Sequence, residues 1–271
     1  MITLESGDTE LVVSPQIGGS IISFRVGGAD VLRPTPPGAF HPLQTACFPM
    51  VPWVNRIAAG RFTHQGRSVR LPAPIEGELH ALHGHGWLAP WTETEVDDDF
   101  AVLAFRHVPG HWPWAYEARQ TFALEPGRVS LSLSVTNLTD DPMPAGLGFH
   151  PYFESPARLS ATVDGMWHTD ADLIPDRWDA TEPFRAHDVD GLSVDNTFTG
   201  WDRRAIVEAR AGRILVTSDL DYLHIYAPRG RGFFCLEPAS AVPDALNHPE
   251  RGLRLLGPGE DLEAELRISL G

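Results

Sequence analysis

Alternation between apolar and polar residues is the clearest pattern along the chain. Between residues 129 and 136, valine or leucine at every second position alternates with serine or threonine. Residues 261–270 repeat the pattern, with apolar residues at every second position and charged or polar residues between them. A period of two is typical of a strand that buries one face. Both segments are therefore predicted to be long strands lining a core.

Shorter segments of the same kind occupy most of the remaining chain. The other predicted strands are residues 10–14, 20–26, 61–64, 68–71, 91–96, 100–108, 116–124, 205–209, 213–217, 223–226 and 232–238. Residues 34–45 are predicted to form a loop, and no segment has the periodicity of a three-turn helix. Many short strands separated by turns indicate an all-β protein, a large antiparallel β-sandwich. Because no linker interrupts the pattern, we expect a single domain over residues 1–271.

Charge and composition narrow the classes of partner. The formal net charge is −15, which repels nucleic acid and anionic membrane surfaces. The sequence contains no lysine, which excludes Schiff-base chemistry on lysine and a P-loop lysine. The first residues lack the pattern of a signal peptide, and no apolar run could span a bilayer. We expect a cytoplasmic monomer or homodimer that acts on a small molecule.

A histidine stands within the apolar and aromatic segment Gly148–Phe153. The proline that follows His150 favours an extended backbone and removes an amide donor. We expect Phe149, Tyr152 and Phe153 to surround the imidazole. Two interpretations remain open: a catalytic histidine, or a core histidine whose ring is paired with a backbone carbonyl.

Glu237 is the second candidate, because it ends the apolar run 233–236 and is followed by Pro238. Partial desolvation would raise the pKa of its carboxyl, which suits a general base working near neutral pH. The alternative is a glutamate that faces water at the end of a strand.

Three further candidates are polar residues in or near apolar segments. Residues 46–57 are apolar, contain two prolines that preclude a regular helix, and end near Asn55-Arg56. We interpret this segment as buried and irregular, aiming Arg56 at a ligand, although a surface ion pair is the more common fate of an arginine. Asp195-Asn196 has the composition of a turn.

The cluster His80, His83 and His85 raises the question of a metal site. A His-x-His pair on a strand places both imidazoles on one face, as a metal requires. However, the nearest following glutamate is Glu93, and Gly86 follows where a further ligand would be needed. We therefore expect no metal. The motifs of α/β-hydrolases and dinucleotide-binding folds are also missing.

Several short motifs occur in a fixed order along the chain. They are Gly18-Gly19-Ser20-Ile21, Asp30-Val31-Leu32-Arg33, Phe48-Pro49, Asn55-Arg56-Ile57, Gly60-Arg61-Phe62, Leu82-His83-Gly84, Gly148–Phe153, Leu236-Glu237-Pro238 and Leu256-Gly257-Pro258-Gly259-Glu260. In this order and spacing, nearly the whole chain resembles the aldose 1-epimerase (mutarotase) family. Two segments depart from the pattern of galactose mutarotases, namely His83-Gly84-His85 and His150-Pro151-Tyr152. The chain therefore resembles a divergent bacterial-type branch, which leaves the preferred sugar and the role of His85 open.

The resemblance implies a β-supersandwich that interconverts the α and β anomers of free aldoses without a metal or cofactor. It implies that Glu237 takes the proton of the C1 hydroxyl while His150 protonates the ring oxygen. These two side chains are expected to meet across a sugar-sized hollow. The residues expected to contact the sugar are Asn55, Arg56, His83, Tyr152 and Asp195.

Three other functions stay open. A hexose-6-phosphate 1-epimerase would need arginines for the phosphate, for which Arg56 and Arg33 are candidates, although the net charge disfavours an anionic ligand. A non-catalytic carbohydrate-binding protein would bind sugar without turnover. A glycoside hydrolase would need a second carboxylate beside Glu237.

Overall fold

The computed structural model describes residues 1–271 and consists of 26 strands joined by turns and loops. The first thirteen strands are β1 (Ile2–Ser6), β2 (Thr9–Ser14), β3 (Ser20–Val26), β4 (Ala29–Asp30), β5 (Cys47–Met50), β6 (Arg56–Ile57), β7 (Arg61–His64), β8 (Arg67–Arg70), β9 (Ala81–Leu82), β10 (Thr92–Val96), β11 (Phe100–His107), β12 (Tyr116–Glu125) and β13 (Arg128–Asn137).

The second half of the chain contributes thirteen more strands. They are β14 (Met143–Ala145), β15 (Gly148–Glu154), β16 (Arg158–Ala161), β17 (Gly165–Thr169), β18 (Pro175–Ala180), β19 (Phe184–Asp188), β20 (Val194–Thr199), β21 (Arg204–Ala209), β22 (Gly212–Ser218), β23 (Tyr222–Ala227), β24 (Phe233–Ala239), β25 (Arg254–Leu256) and β26 (Asp261–Leu270). The helices are single 3-10 turns at Pro42–Gln44, Ala58–Gly60, Gly86–Leu88, Val189–Gly191 and Pro249–Arg251. None of them has the length and apolar character needed to cross a bilayer.

Two large antiparallel sheets form the body of the protein. One has eleven strands in the order β1-β2-β3-β5-β15-β24-β23-β20-β17-β18, with β4 paired to β3. The other has nine strands in the order β10-β11-β12-β13-β26-β22-β21-β16-β19. Three two-stranded ribbons, β14-β25, β6-β9 and β7-β8, complete the structure. The predicted all-β class and large antiparallel sandwich are confirmed.

The two most regular predicted strands lie side by side in the nine-stranded sheet. The segment with alternating serines is β13, and it pairs with β26 so that Leu131 faces Leu266 and Leu133 faces Ala264. These four residues are buried in one apolar cluster that draws on both large sheets. The alternation in the sequence therefore marks the inner face of this sheet.

The eleven-stranded sheet buries both of its faces around β15, β24 and β23. Phe149, Leu236 and Ile225 point into the main core. Because successive side chains on a strand point to opposite faces, the residues that alternate with them lie on the other side of the sheet. A second, smaller apolar cluster that includes Phe48 and Tyr152 lies on that side. This second face carries the candidate site.

One local expectation was wrong. Asp195-Asn196 lies inside strand β20 and does not form a turn, because its backbone pairs with Tyr226 and Ile225 of β23. Pairing across the sheet therefore outweighs the local turn preference of the dipeptide. In the predicted loop 34–45, Pro42–Gln44 forms a 3-10 turn capped by the side chain of His41.

Candidate active site

One row of side chains crosses five neighbouring strands of the eleven-stranded sheet. The register pairs Phe48 with His150, His224 with Glu237, and Thr197 with His224. His150 and Glu237 also become neighbours, since the flanking residues of β15 and β24 are paired. Residues that are far apart in the sequence are therefore brought to one place by strand pairing alone.

His150 and Glu237 form the centre of this row. The Nε2 atom of His150 lies 3.1 Å from Oε1 of Glu237, with side-chain exposures of 6% and 2%. The two residues expected to be catalytic are thus brought together. They are, however, in direct contact, whereas the sequence led us to expect a sugar-sized hollow between them.

Burial shifts the two pKa values in opposite directions. Desolvation raises the pKa of Glu237 to about 7, against the opposing charges of His224 and Arg56. Desolvation lowers the pKa of His150 to about 3, and the positive charge of His224 adds to this effect. Between these values the pair binds one proton, which rests mainly on Glu237. The two side chains therefore hold one proton between them, at a separation of 3.1 Å.

Aromatic rings fix the plane of the His150 imidazole. Phe48 stacks on the ring with centroids 4.3 Å apart, and Tyr152 stacks at 4.8 Å. The expectation that Phe149 and Phe153 would also surround the ring was wrong. Both lie in the main core, because their positions on β15 place them on the opposite face of the sheet.

His83 approaches the imidazole from the side. Its ring meets that of His150 edge-on, at a centroid distance of 5.2 Å. Burial, reinforced by the charges of nearby cations, holds the pKa of His83 well below its usual value, so the ring is neutral. The next residue must be glycine, because a Cβ on Gly84 would lie 1.9 Å from the carbonyl oxygen of Val51. The His-Gly motif therefore allows close backbone contact and directs His83 towards His150.

Arg56 and Asp195 form a polar group at the edge of the buried pair. The guanidinium Nη2 of Arg56 lies 3.4 Å from Oδ2 of Asp195, and both side chains are partly exposed. The side chain of Asn55 accepts a hydrogen bond from the backbone amide of Arg56 at 2.9 Å. Asn55 therefore supports the backbone from which Arg56 projects.

Asp195 is held ionised by two donors. Its Oδ1 atom lies 2.8 Å from Nε2 of His224, while Oδ2 accepts from Arg56. Burial alone would raise the pKa of Asp195, but the hydrogen bond and charge of His224, together with Arg56, lower it to about 2. Both carboxylate oxygens thus already have partners within the protein.

Tyr152 contacts two groups. Its ring stacks on that of His150, and the guanidinium carbon of Arg33 lies 3.6 Å from its centroid. Arg33 is itself fixed, since its Nη2 donates to the carbonyls of Leu43 and Thr45. The Tyr152 ring is therefore positioned as a rigid support for the imidazole.

The three clustered histidines point in different directions. His80 accepts from the amide of Ala59 and contacts the carbonyl oxygen of Asp172, and His83 faces His150. His85 stacks on His107 with centroids 4.6 Å apart, and it lines an apolar hollow of about 210 Å³. The histidines do not converge on one point, and this arrangement cannot hold a metal.

A different trio has metal-binding atoms close together. One ligand atom from each of His150, Cys235 and Glu237 lies within 4.8 Å of the others. Metal binding requires the thiolate form of cysteine. Burial and the charge of Glu237 hold the pKa of the Cys235 thiol well above its usual value. The trio therefore fits a metal ion poorly.

His224 is the member of this row of side chains that the sequence reasoning missed. Its strand was predicted, but the histidine within it was not singled out. The signal was present: Leu223 and Ile225 are core residues, so His224 and Tyr226 must point to the other face. The same alternation places Cys235 and Glu237 on that face.

Comparison with known proteins supports one family. The model of the aldose 1-epimerase family matches residues 1–269. The chain is 33% identical to the uncharacterized protein YphB of Escherichia coli (strain K12), over 98% of this chain and 97% of that protein.

Superposition on solved structures supports the same family fold. A putative aldose 1-epimerase from Escherichia coli K12 superimposes with a TM-score of 0.89 at 31% identity, covering 99% of this chain and 97% of that chain. A galactose mutarotase-like protein from Clostridium acetobutylicum gives a TM-score of 0.87 at 19% identity, covering 98% and 93%. With a family match along essentially its full length, the chain belongs to the aldose 1-epimerase family.

Proposed function

We propose that the protein interconverts the α and β anomers of a free aldose by acid–base ring opening, with Glu237 as base and His150 as acid. The observation that carries the proposal is the buried His150–Glu237 contact of 3.1 Å. Opening a hemiacetal requires removal of one proton and delivery of another to the neighbouring oxygen. A carboxyl and an imidazole that share one proton supply both functions.

The proton balance of the reaction closes without any other group. In the reactive form, Glu237 is ionised and His150 carries the shared proton. Glu237 accepts the proton of the C1 hydroxyl, and His150 donates its proton to the ring oxygen. The C1–O5 bond breaks, its electron pair stays on the ring oxygen, and C1 becomes an aldehyde.

The state after ring opening has the proton on Glu237 and a neutral His150. This is the distribution that the two pKa values favour in the free protein. Rotation about C1–C2 presents the other face of the aldehyde. The reverse transfers then close the ring with the opposite configuration at C1 and restore the starting protonation.

We further propose that the surrounding polar residues orient the sugar. Arg56 is partly exposed beside the pair and carries donors for sugar hydroxyls, and Asn55 holds its backbone. His83 is neutral and meets the His150 ring edge-on, so it lies beside the proposed acid without adding a charge. Asp195 and Tyr152 act mainly by fixing Arg56 and His150.

The same contacts favour a free sugar over a sugar phosphate. A phosphate needs arginine donors that are free to bind it. Arg56 is already paired with Asp195, and Arg33 is held by two backbone carbonyls and the Tyr152 ring. The Nη2 atom of each guanidinium is therefore already engaged within the protein, and the net charge of −15 adds general repulsion of anions.

The test is polarimetry on freshly dissolved α-glucose and α-galactose, with glucose 6-phosphate in parallel. We expect faster mutarotation of at least one free sugar, and a loss of about 10²-fold or more in His150→Asn. The exposed variant His187→Asn is the control and should retain full activity. Sugar binding without faster mutarotation would refute the enzyme and favour a carbohydrate-binding protein.

A further inference from the structure

His224 is buried beside Glu237, yet the proton transfers described above do not use it. It is 4% exposed and lies in β23, the strand next to Glu237. A buried histidine beside a proposed base either holds the fold together or acts on the base. Its hydrogen bonds and its position on the sheet beside Glu237 distinguish these two roles.

Both ring nitrogens of His224 have an oxygen partner. Nε2 lies 2.8 Å from the Asp195 carboxylate, and Nδ1 lies 2.8 Å from the Thr197 hydroxyl. An ionised carboxylate can only accept, so Nε2 carries a hydrogen. A hydroxyl can accept as well as donate, so a hydrogen on Nδ1 is also satisfied. The site therefore suits a doubly protonated, positively charged ring.

This cation would stand on one side of Glu237, with His150 on the other. His224 and Glu237 are directly opposite each other in the register of β23 and β24. Opposed residues on antiparallel strands have Cβ atoms about 5 Å apart and point to the same face. The order across the sheet is thus imidazole, carboxyl, imidazole.

We propose that His224 is a positioning residue which, as an imidazolium held by Asp195 and Thr197, stabilises the ionised form of Glu237, the form in which this carboxyl can accept the proton of the C1 hydroxyl. This inference rests on the proposed function, since it explains how the reactive protonation is populated. Without such a cation, a carboxyl as buried as Glu237 would bind the proton more tightly. The ionised carboxylate that acts as the base would then be rarer.

The other groups around Glu237 do not cancel this effect. Besides His224, the titratable or charged groups near it are Cys47 from β5, His150 and Tyr152 from β15, Cys235 from β24, Asp195 from β20 and Arg56 from β6. Burial raises the pKa of Cys47 to about 12, so this thiol is neutral. Tyr152 and Cys235 are neutral near pH 7, because burial raises the pKa of both. Asp195 opposes ionisation of Glu237, whereas His224 and Arg56 favour it.

The charge on His224 itself follows from the same neighbours. Burial lowers the pKa of the ring, but the charge of Glu237 and the hydrogen bond and charge of Asp195 raise it further than burial lowers it. Arg56, His83 and His150 are the remaining titratable neighbours, and burial lowers the pKa of His150 to about 3, so that its ring is neutral in the free protein. Arg56 acts in the opposite direction, and His83 is neutral.

The experiment is a carboxyl ¹³C NMR titration of Glu237 in protein labelled at the glutamate side-chain carboxyl, without sugar. The resonance is assigned by its loss in Glu237→Gln. In the wild type we expect a midpoint of about 7, and in His224→Gln an increase of about one unit or more. The control is His168→Gln, which removes a histidine paired with a carboxylate at 3.1 Å on the surface and should leave the midpoint unchanged.

Enzyme kinetics give a second readout. If His224 acts through Glu237, His224→Gln moves the alkaline limb of kcat/KM to higher pH by the same shift and lowers the plateau of kcat. A structural role would lower the rate without moving the limb. Because the NMR titration needs no turnover, it decides the proposal about His224 even if the protein does not catalyse mutarotation.

Two outcomes would overturn the proposal. One is a Glu237 midpoint in His224→Gln that is unchanged or lower. The other is a ¹⁵N spectrum of the wild type that shows His224 singly protonated at pH 7. If His224→Gln does not fold, Thr197→Val removes the acceptor of Nδ1, and it should raise the Glu237 midpoint in the same direction.

Discussion

Replacing Glu237 with glutamine should abolish anomerisation and, at the same time, stabilise the fold above neutral pH. The substitution keeps the shape of the side chain and removes the ionisable group. In the wild type, burial raises the pKa of this carboxyl from 4.5 to about 7. The folded protein therefore binds the proton more tightly than the unfolded chain does, and stability falls as the pH rises from 4.5 through 7.

The magnitude follows from the size of the shift. One pKa unit corresponds to about 1.4 kcal/mol, so a shift of this size removes about 3 kcal/mol of stability once the carboxyl is ionised. Glu237→Gln has no such ionisation. Relative to the variant, the wild type should lose about 3 kcal/mol of unfolding free energy between pH 4.5 and pH 8.

The assay is urea denaturation of both proteins at pH 4.5 and pH 8, with polarimetry on the same samples. Glu93→Gln is the matched control, because Glu93 is exposed on β10 and should follow the wild type at both pH values. Equal pH dependence in Glu237→Gln and the wild type would show that the carboxyl is not desolvated. Full activity in Glu237→Gln would refute its assignment as the base.

Three further outcomes are expected. The value of kcat/KM should fall as the pH rises through about 7, because the pair then loses its shared proton; a rate that increases up to pH 9 would contradict the one-proton mechanism. Arg56→Lys should raise KM several-fold with little change in kcat in steady-state kinetics, because lysine retains the charge but not the fork that reaches both Asp195 and the sugar. His85→Phe should retain mutarotation within about twofold, since the ring packs on His107 away from the site; a large loss would assign His85 to catalysis.

The fold could be predicted from the sequence because the apolar and polar residues of the main strands alternate with a period of two. The alternation in β13 and β26 reflects burial of one face, and it marks these strands without knowledge of their partners. Asp195 shows the limit of this reasoning. A turn preference was inferred from two adjacent residues. The strand conformation of Asp195 is set instead by its pairing with Tyr226, which is 31 positions further along the chain.

The residues of the candidate site could be predicted from the sequence, but the contacts between them could not. His150 and Glu237 stood out because polar residues within apolar strands are rare, and the motif order added the others. Their direct contact was not predictable, because register across β15 and β24 depends on the whole sheet. His224 was missed because a single histidine in a short strand is ambiguous until its neighbours are assigned to the core.

Candidate active-site residues and core residues alternate along the same strands, and this alternation limits which sequence changes the protein can tolerate. On β15, Phe149 fills the interior while His150 stands on the reverse side of the sheet. Inserting or deleting one residue before this point would exchange the two, leaving an imidazole among aliphatic side chains and a phenyl ring where the proton must move. Evolution can therefore replace residues along β15, β23 and β24 one by one, but changes of length must be confined to the loops that join them.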